Sequence, residues 1–483
     1  MLFNSYLFVL LFLPLCVAGY FICNRIHFIL ANLWLLGMSL WFYGYFNSYY
    51  LVLIVSSIVA NYALYKVIVT REGHVRKAAF LTAVLFHLGL LFYFKYYNFF
   101  LSNLNDLFKT DFVLKDILLP LGISFFTFQQ LAFVIDAYRG ERAECSFLEY
   151  ALFISFFPQL VAGPIVLHYE LLPQIRNRAL RRPSMENLSA GIMMFTLGLC
   201  KKVLLADTFG RAVSYGFLHS GELHSADVWC VMLSYTFQIY FDFSGYSDMA
   251  TGIARMFNFT LPQNFDSPYQ SFSVTEFWKR WHMTLTRFLR TYVYIPLGGN
   301  RKGSLRAHCN ILLVFFLSGL WHGANWTFIL WGLLHGIAFI GTRLTERCYD
   351  RLHAALRWGM TFLFLNITWL LFRAESVSQW LSLTGNAFSF ELADLHPELK
   401  AAFFLPETYY VYRWTGLSYF SDRINAFTML TVFCFAFIVV LCAKNIFQRH
   451  FRTNIRNMLL TACLFLWALT SLGSVTEFLY FNF

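Results

Sequence analysis

Apolar residues do not alternate with polar ones along this chain. They gather into blocks of about twenty, the length at which a helix crosses a hydrocarbon core of roughly 30 Å. Blocks near 3–22, 28–46, 49–70, 79–100, 117–136, 187–206, 227–243, 356–372, 427–443 and 457–474 read as membrane-spanning helices. Two further stretches, 148–167 and 310–342, are apolar but interrupted. In the first, "FFPQLVAGP" contains Pro158 and Pro164, which remove backbone donors and break helix. It reads as re-entrant, with irregular backbone buried inside protein. The second is too long for one dip and short for two spans, and Gly319, Gly323 and Gly332 permit sharp bends. Residues 246–309 form a long basic and aromatic non-spanning stretch, and 374–426 a second long loop. Neither an internal repeat nor a linker is visible, so residues 1–483 read as one membrane domain. The expected fold is all-α: a polytopic integral membrane protein of about eleven transmembrane helices, with re-entrant and interfacial helices.

Composition agrees. Of the 483 residues, 58% are hydrophobic and only 13% charged, against about 25% in a soluble domain. The net charge of +11 falls in short loops between apolar blocks, which marks cytoplasmic loops rather than a nucleic-acid surface. On that rule "REGHVRK" (71–77) and "AKNIFQRHFRTNIR" (443–456) are cytoplasmic, while the N-terminus and the loop 374–426 lie outside. Basic residues flank both interrupted stretches: "YRGERAE" and Arg176, Arg178, Arg181 and Arg182 around the first, "RKGSLR" and "RLTER" around the second. One complete span cannot have both ends on one side. The N-terminal block has no basic residue before Arg25, which fits a retained first span rather than a cleaved signal. The ten cysteines are scattered without CxxC pairs and read as small core residues, so neither a disulfide framework nor a zinc site is expected.

The candidate chemistry lies in three histidines. His322 and His335 stand in "LSGLWHGANWTFILWGLLHG" (317–336), which has no charged residue. An ionisable group at membrane depth needs a use that offsets its solvation cost, although a neutral imidazole also serves as an interhelical hydrogen-bonding group. On one straight helix the two would sit about 20 Å apart and on different faces, so they need not share a site. His282 lies in "SVTEFWKRWHMTLTRFLRTYVYIPLGGNRKG". There Trp278, Trp281 and Leu285 share one helical face, with Lys279, Arg280, Arg287 and Arg290 mostly turned away. That pattern predicts an amphipathic interfacial helix, for which a plain membrane-surface anchor is an equally good reading. GxxxxGK[ST], HExxH and GxSxG are all absent. What remains is buried neutral imidazole, a competent general base, beside a basic face able to attract phosphates.

Several long stretches resemble the membrane-bound O-acyltransferase superfamily. They are "PLGISFFTFQQLAFVIDAYRG" (120–140), "FFPQLVAGPIV" (156–166), "YFDFSGYSDMATGIARMFNF" (240–259), "NFDSPYQSFSVTEFWKRWHMTLTRFLRTYVYIPLGGNR" (264–301), "SGLWHGANWTFILWGLLHG" (318–336) and "WLLFRAES" (369–376). The resemblance covers nearly the whole chain, with core motifs over about 115–345. It is strongest to the bacterial branch that holds the alginate O-acetyltransferase membrane subunit, with peptidoglycan O-acetyltransferases and teichoic-acid D-alanyl transfer proteins as relatives. The resemblance implies that His322 is the catalytic histidine and His282 the second catalytic position. It also points to Trp321, Asn325, Trp326, Lys279, Arg280, Asp242 and Asp248 as substrate or donor contacts, although the turn-rich "DFSGYSD" suits backbone capping equally well. His335 has no role in the pattern and reads as structural. The implied activity is transfer of acetyl from a cytoplasmic thioester, acetyl-CoA or another, toward a cell-surface polysaccharide such as alginate. No bound cofactor or metal is implied. The implied setting is a bacterial inner membrane, with an SGNH-type acetyltransferase partner on the outer side. Peptidoglycan O-acetylation, D-alanyl transfer, or transport without bond chemistry are the alternatives, and transport leaves the "WHGANW" and "KRWH" histidines unexplained.

Overall fold

A computed structural model describes residues 1–45, 47–141, 144–391, 393–405, 413–415, 421–449, 451, 453–474 and 479. Parts of the expected loops "YRGERAE" (138–144), 374–426 and 443–456 fall outside these residues. The described residues form helices joined by turns and irregular segments, with no strand among them. Among the described residues, eight helices are long and apolar enough to cross a membrane: Phe8–Ile26, Ser48–Thr70, Gly73–Phe108, Met185–Leu218, Ser304–His322, Trp326–Leu344, Ala354–Arg373 and Asp422–Cys442. Phe28–Gly44 and Ile455–Thr470 are shorter apolar helices at two further expected spans. The all-helical, multi-pass architecture is therefore as expected.

Four expectations need correction. The block 310–342 is two helices, Ser304–His322 and Trp326–Leu344, folded back on each other. Gly319 and Gly332 serve that contact rather than a bend: a Cβ on either would lie 2.3 Å from a carbonyl oxygen of the facing helix, Phe328 O or Phe315 O. Small residues let backbones approach where no hydrophobic force drives association. The span placed at 227–243 continues as one helix, Ser225–Met256, so "DFSGYSD" is mid-helix and not a turn. The "WKRWH" segment is not a surface anchor. It forms two short helices, Val274–Arg280 and Met283–Leu289, and Trp278 and Trp281 are buried within the protein. Finally, the helix expected over 117–136 starts only at Ile123 and runs to Arg139, behind Pro120 and a left-handed Gly122.

The interrupted stretch 148–167 behaves as its prolines predict. Helix Phe147–Ser155 gives way to a single turn, Phe157–Leu160, and then to irregular backbone before helix His168–Arg176. Arg287 braces this region by a bidentate ion pair to Glu170 at 2.6 and 2.8 Å and a bond to the Ile165 carbonyl at 3.0 Å. The Ile165 N–H in turn donates to Thr284 Oγ1 at 3.0 Å. The buried irregular loop and the "WKRWH" segment are thus one hydrogen-bonded unit.

Candidate active site

Helix Ser304–His322 ends at the histidine itself, because Gly323 turns extended and Asn325 starts the next helix by accepting the Thr327 N–H at 3.1 Å. A helix end leaves carbonyls unsatisfied, and burial makes that costly. Here Tyr96 OH donates to Leu320 O at 3.0 Å, and Lys95 Nζ to Trp321 O at 2.5 Å and His322 O at 3.1 Å. Both partners come from the middle of helix Gly73–Phe108, at a π-helical segment, Phe92–Tyr96. His322 is 3% exposed and stands among the rings of Trp321, Trp331 and Phe372, with centroids at 4.8, 5.3 and 5.2 Å.

His282 sits at the bend between its two short helices with φ 45° and ψ 52°. A non-glycine residue in the left-handed region costs about 1–3 kcal/mol and persists only where its surroundings impose it. Asn264 imposes it: its carbonyl accepts the Met283 N–H at 2.9 Å, and its Oδ1 accepts from Thr284 Oγ1 at 2.8 Å and Thr284 N at 3.3 Å. The same Oδ1 lies 3.0 Å from His282 Nδ1. Since Oδ1 is an acceptor, Nδ1 carries the ring proton and Nε2 presents its lone pair. That Nε2 is buried and has no hydrogen-bond partner among the described residues. The Trp321 ring contacts both imidazoles, at 6.1 Å from His282 and 4.8 Å from His322.

His335 is one ring further, against Trp331 at 4.8 Å. The hairpin brings it into the same aromatic cluster as His322, unlike the separation a straight helix would impose. Both of its nitrogens are bonded: Trp278 Nε1–H donates to Nδ1 at 3.1 Å, so the proton is on Nε2, which donates to Thr368 Oγ1 at 3.0 Å.

Other expected contacts lie elsewhere. Trp326 is 58% exposed and donates to Asn103 Oδ1 at 2.9 Å. Asn325 caps its helix and donates to Glu375 O at 3.0 Å. Lys279 is exposed, and Arg280 pairs with Glu276 at 2.9 Å. Asp242 and Asp248 are neither caps nor part of the histidine cluster: they pair with Lys202 at 2.8 Å and Lys201 at 2.6 Å. Those lysines, Asn264, and above all Lys95 escaped the sequence reading. Their signal was present, since a lysine inside "LLFYFKYYNFF" or "LCKKVLLA" is an ionisable group at membrane depth.

Beside His322 is a cavity of about 30 Å³, lined by Lys95, Gly122, Ile123, Val161, Trp321 and His322. It holds about one water molecule. No three His, Cys, Asp or Glu side chains are grouped as a metal would require among the described residues. The cluster supplies a buried imidazole lone pair, a second imidazole beyond one tryptophan, and a cation at the cavity wall. Those are the parts of proton transfer to and from a hydroxyl.

Residues 29–383 match the MBOAT, membrane-bound O-acyltransferase family. The chain is 38% identical to the peptidoglycan O-acetyltransferase of Helicobacter pylori, over 100% of this chain and 98% of that one. It is also 38% identical to the "Probable alginate O-acetylase AlgI" of Pseudomonas aeruginosa, over 81% of this chain and 75% of that one. A teichoic acid D-alanyltransferase of Streptococcus thermophilus is 29% identical over 46% of this chain and 56% of its own length.

Proposed function

The chain belongs to the membrane-bound O-acyltransferase family, and from that premise we propose that it supplies acetyl groups for O-acetylation of peptidoglycan. It is a multi-pass membrane acyltransferase. The observation that carries the choice of polymer is the match to the peptidoglycan enzyme along the whole of both chains, where the alginate enzyme matches 81% of this one. Alginate, the polymer first expected, becomes the second reading on the strength of equal identity.

In this proposal the donor is acetyl-CoA or another acyl thioester. His322 is the acyl-transfer centre, and the Nε2 lone pair of His282 is the second base. An SGNH-type partner outside the membrane completes transfer to the polymer, in the inner membrane of a bacterium. If "REGHVRK" and "RKGSLR" face the cytoplasm, then His322 lies about 27 Å along its helix from Ser304 and Lys95 about 33 Å from Gly73. Both then approach the outer boundary of the bilayer, where the acyl group has to emerge. Orientation is tested by labelling single cysteines with a membrane-impermeant reagent in a cysteine-free background. Cysteines at Ser304 and Glu346 are protected in intact cells and one at Glu398 reacts; reversed labelling would overturn the topology. The polymer is tested by mass spectrometry of muropeptides: a deletion strain loses O-acetylated muropeptides and regains them with the wild-type chain. Unchanged muropeptides with loss of acetyl from an exported alginate would decide for the second reading.

A further inference from the structure

Lys95 does more than its hydrogen bonds require. Its Nζ closes the end of the His322 helix through two carbonyls, a task that a neutral amide donor could also perform. No carboxylate lies within 4.0 Å of it among the described residues. A cation enclosed in the protein by two carbonyls and the face of Trp321 at 5.9 Å, with no carboxylate beside it, is costly unless its charge is used. An ammonium has three N–H groups and the carbonyls take two. Lys95 lines the cavity beside His322. The same cavity is lined by Gly122 and Ile123, where helix Ile123–Arg139 begins. Helix N-termini carry positive partial charge, so two independent positive sources face one small space next to His322.

We propose that Lys95 and the first turn of helix Ile123–Arg139 form the oxyanion site of the acyl-transfer reaction, taking the acyl carbonyl oxygen of the thioester. The inference rests on His322 being the acyl-transfer centre. The acceptor hydroxyl oxygen bonds to the acyl carbon, its proton passes to an imidazole nitrogen, and the carbonyl π pair moves onto oxygen. The Lys95 ammonium stabilises that oxyanion. On collapse the C=O bond re-forms, the C–S bond breaks, and sulfur leaves with the electron pair and the imidazolium proton. Donors preorganised where charge develops act in the transition state more than in the ground state.

The test uses purified full-length protein with acetyl-CoA as donor. Lys95→Met lowers kcat by about 10²–10³ with KM for acetyl-CoA unchanged, the pattern of an interaction made only in the transition state. Lys95→Arg, which keeps the charge, recovers part of the loss. Amide hydrogen exchange over residues 316–325 stays as protected as in wild type in Lys95→Gln, which keeps a neutral donor for the helix-end carbonyls, while its kcat falls as in Lys95→Met. Wild-type kcat in Lys95→Met or Lys95→Gln, or a kcat loss in Lys95→Gln accompanied by lost protection of 316–325, would overturn the assignment. His322→Ala separates the two readings: if it is inactive while Lys95→Met is normal, only the oxyanion site fails; if it is fully active, the underlying function fails as well.

Discussion

His282 and His335 are both fully buried and both lie within one ring of the His322 cluster, yet the protein treats them in opposite ways. Trp278 and Thr368 consume both nitrogens of His335. Asn264 takes one nitrogen of His282, fixes its tautomer and leaves the other lone pair unspent. Strain falls on the same side of the comparison, because His282 carries a left-handed backbone while His335 sits in a regular helix. Burial therefore does not mark a functional histidine here. What separates the two is whether the surrounding donors and acceptors close the ring's hydrogen-bonding capacity.

The largest expected effect is at the centre both of them flank. His322→Ala lowers acetyl transfer by a factor of about 10²–10⁴, the usual range for a lost acid–base group, with normal membrane insertion. Near-normal muropeptide acetylation by a well-expressed variant would contradict the assignment. Next is His282. His282→Ala removes the open lone pair and cuts the rate strongly, while His282→Asn, which keeps a donor and an acceptor, is milder. If both are silent beside an inactive His322→Ala, then His282 serves packing alone.

Asn264→Leu frees the His282 proton to move between nitrogens and slows turnover about 10- to 100-fold, as loss of an orienting partner does. Unchanged turnover in a folded variant would show that the Asn264 bond does not set the reactive nitrogen. On the other side of the comparison, His335→Ala strands the Trp278 N–H and creates a void, while the Thr368 hydroxyl keeps its bond to Phe364 O at 2.9 Å. It should destabilise by about 1–3 kcal/mol for the unsatisfied donor, and more for the void, with activity per folded molecule retained. The smallest effect is at Thr368→Val, about 1–3 kcal/mol for the His335 N–H left without an acceptor and with no void of imidazole size, read as a shift in the detergent melting curve.

How much of this was legible in the sequence follows from what each feature needs. Spans needed only apolar length, so ten expected blocks correspond to helices, and the prolines of "FFPQLVAGP" located the broken segment. Helix ends and contacts are three-dimensional and failed. "DFSGYSD" looked like a turn because small residues serve turns and close helix packing alike. Its aspartates are instead neutralised by Lys201 and Lys202 of another helix. Trp278, Trp281 and Leu285 are all buried, but the helix breaks at His282, so they are not one helical face, and periodicity could show neither the break nor the tryptophan-lined core they meet. The pair His282 and His322 came from a family resemblance. The difference between His282 and His335 depends on Asn264, Trp278 and Thr368, distant in sequence from the histidines they bind, and could come only from the fold.

One paired measurement separates the two histidines: the acetyl-CoA-dependent transfer rate per folded molecule and the melting temperature of His282→Ala and His335→Ala, purified side by side. With His282 gone, Asn264 Oδ1 keeps both donors from Thr284, so no buried donor is stranded and the fold loses only packing. The predicted result is a collapsed rate with a modestly lowered melting temperature for His282→Ala, and a near-normal rate with a more strongly lowered melting temperature for His335→Ala. The opposite assignment, an active His282→Ala beside a stable but inactive His335→Ala, would contradict it.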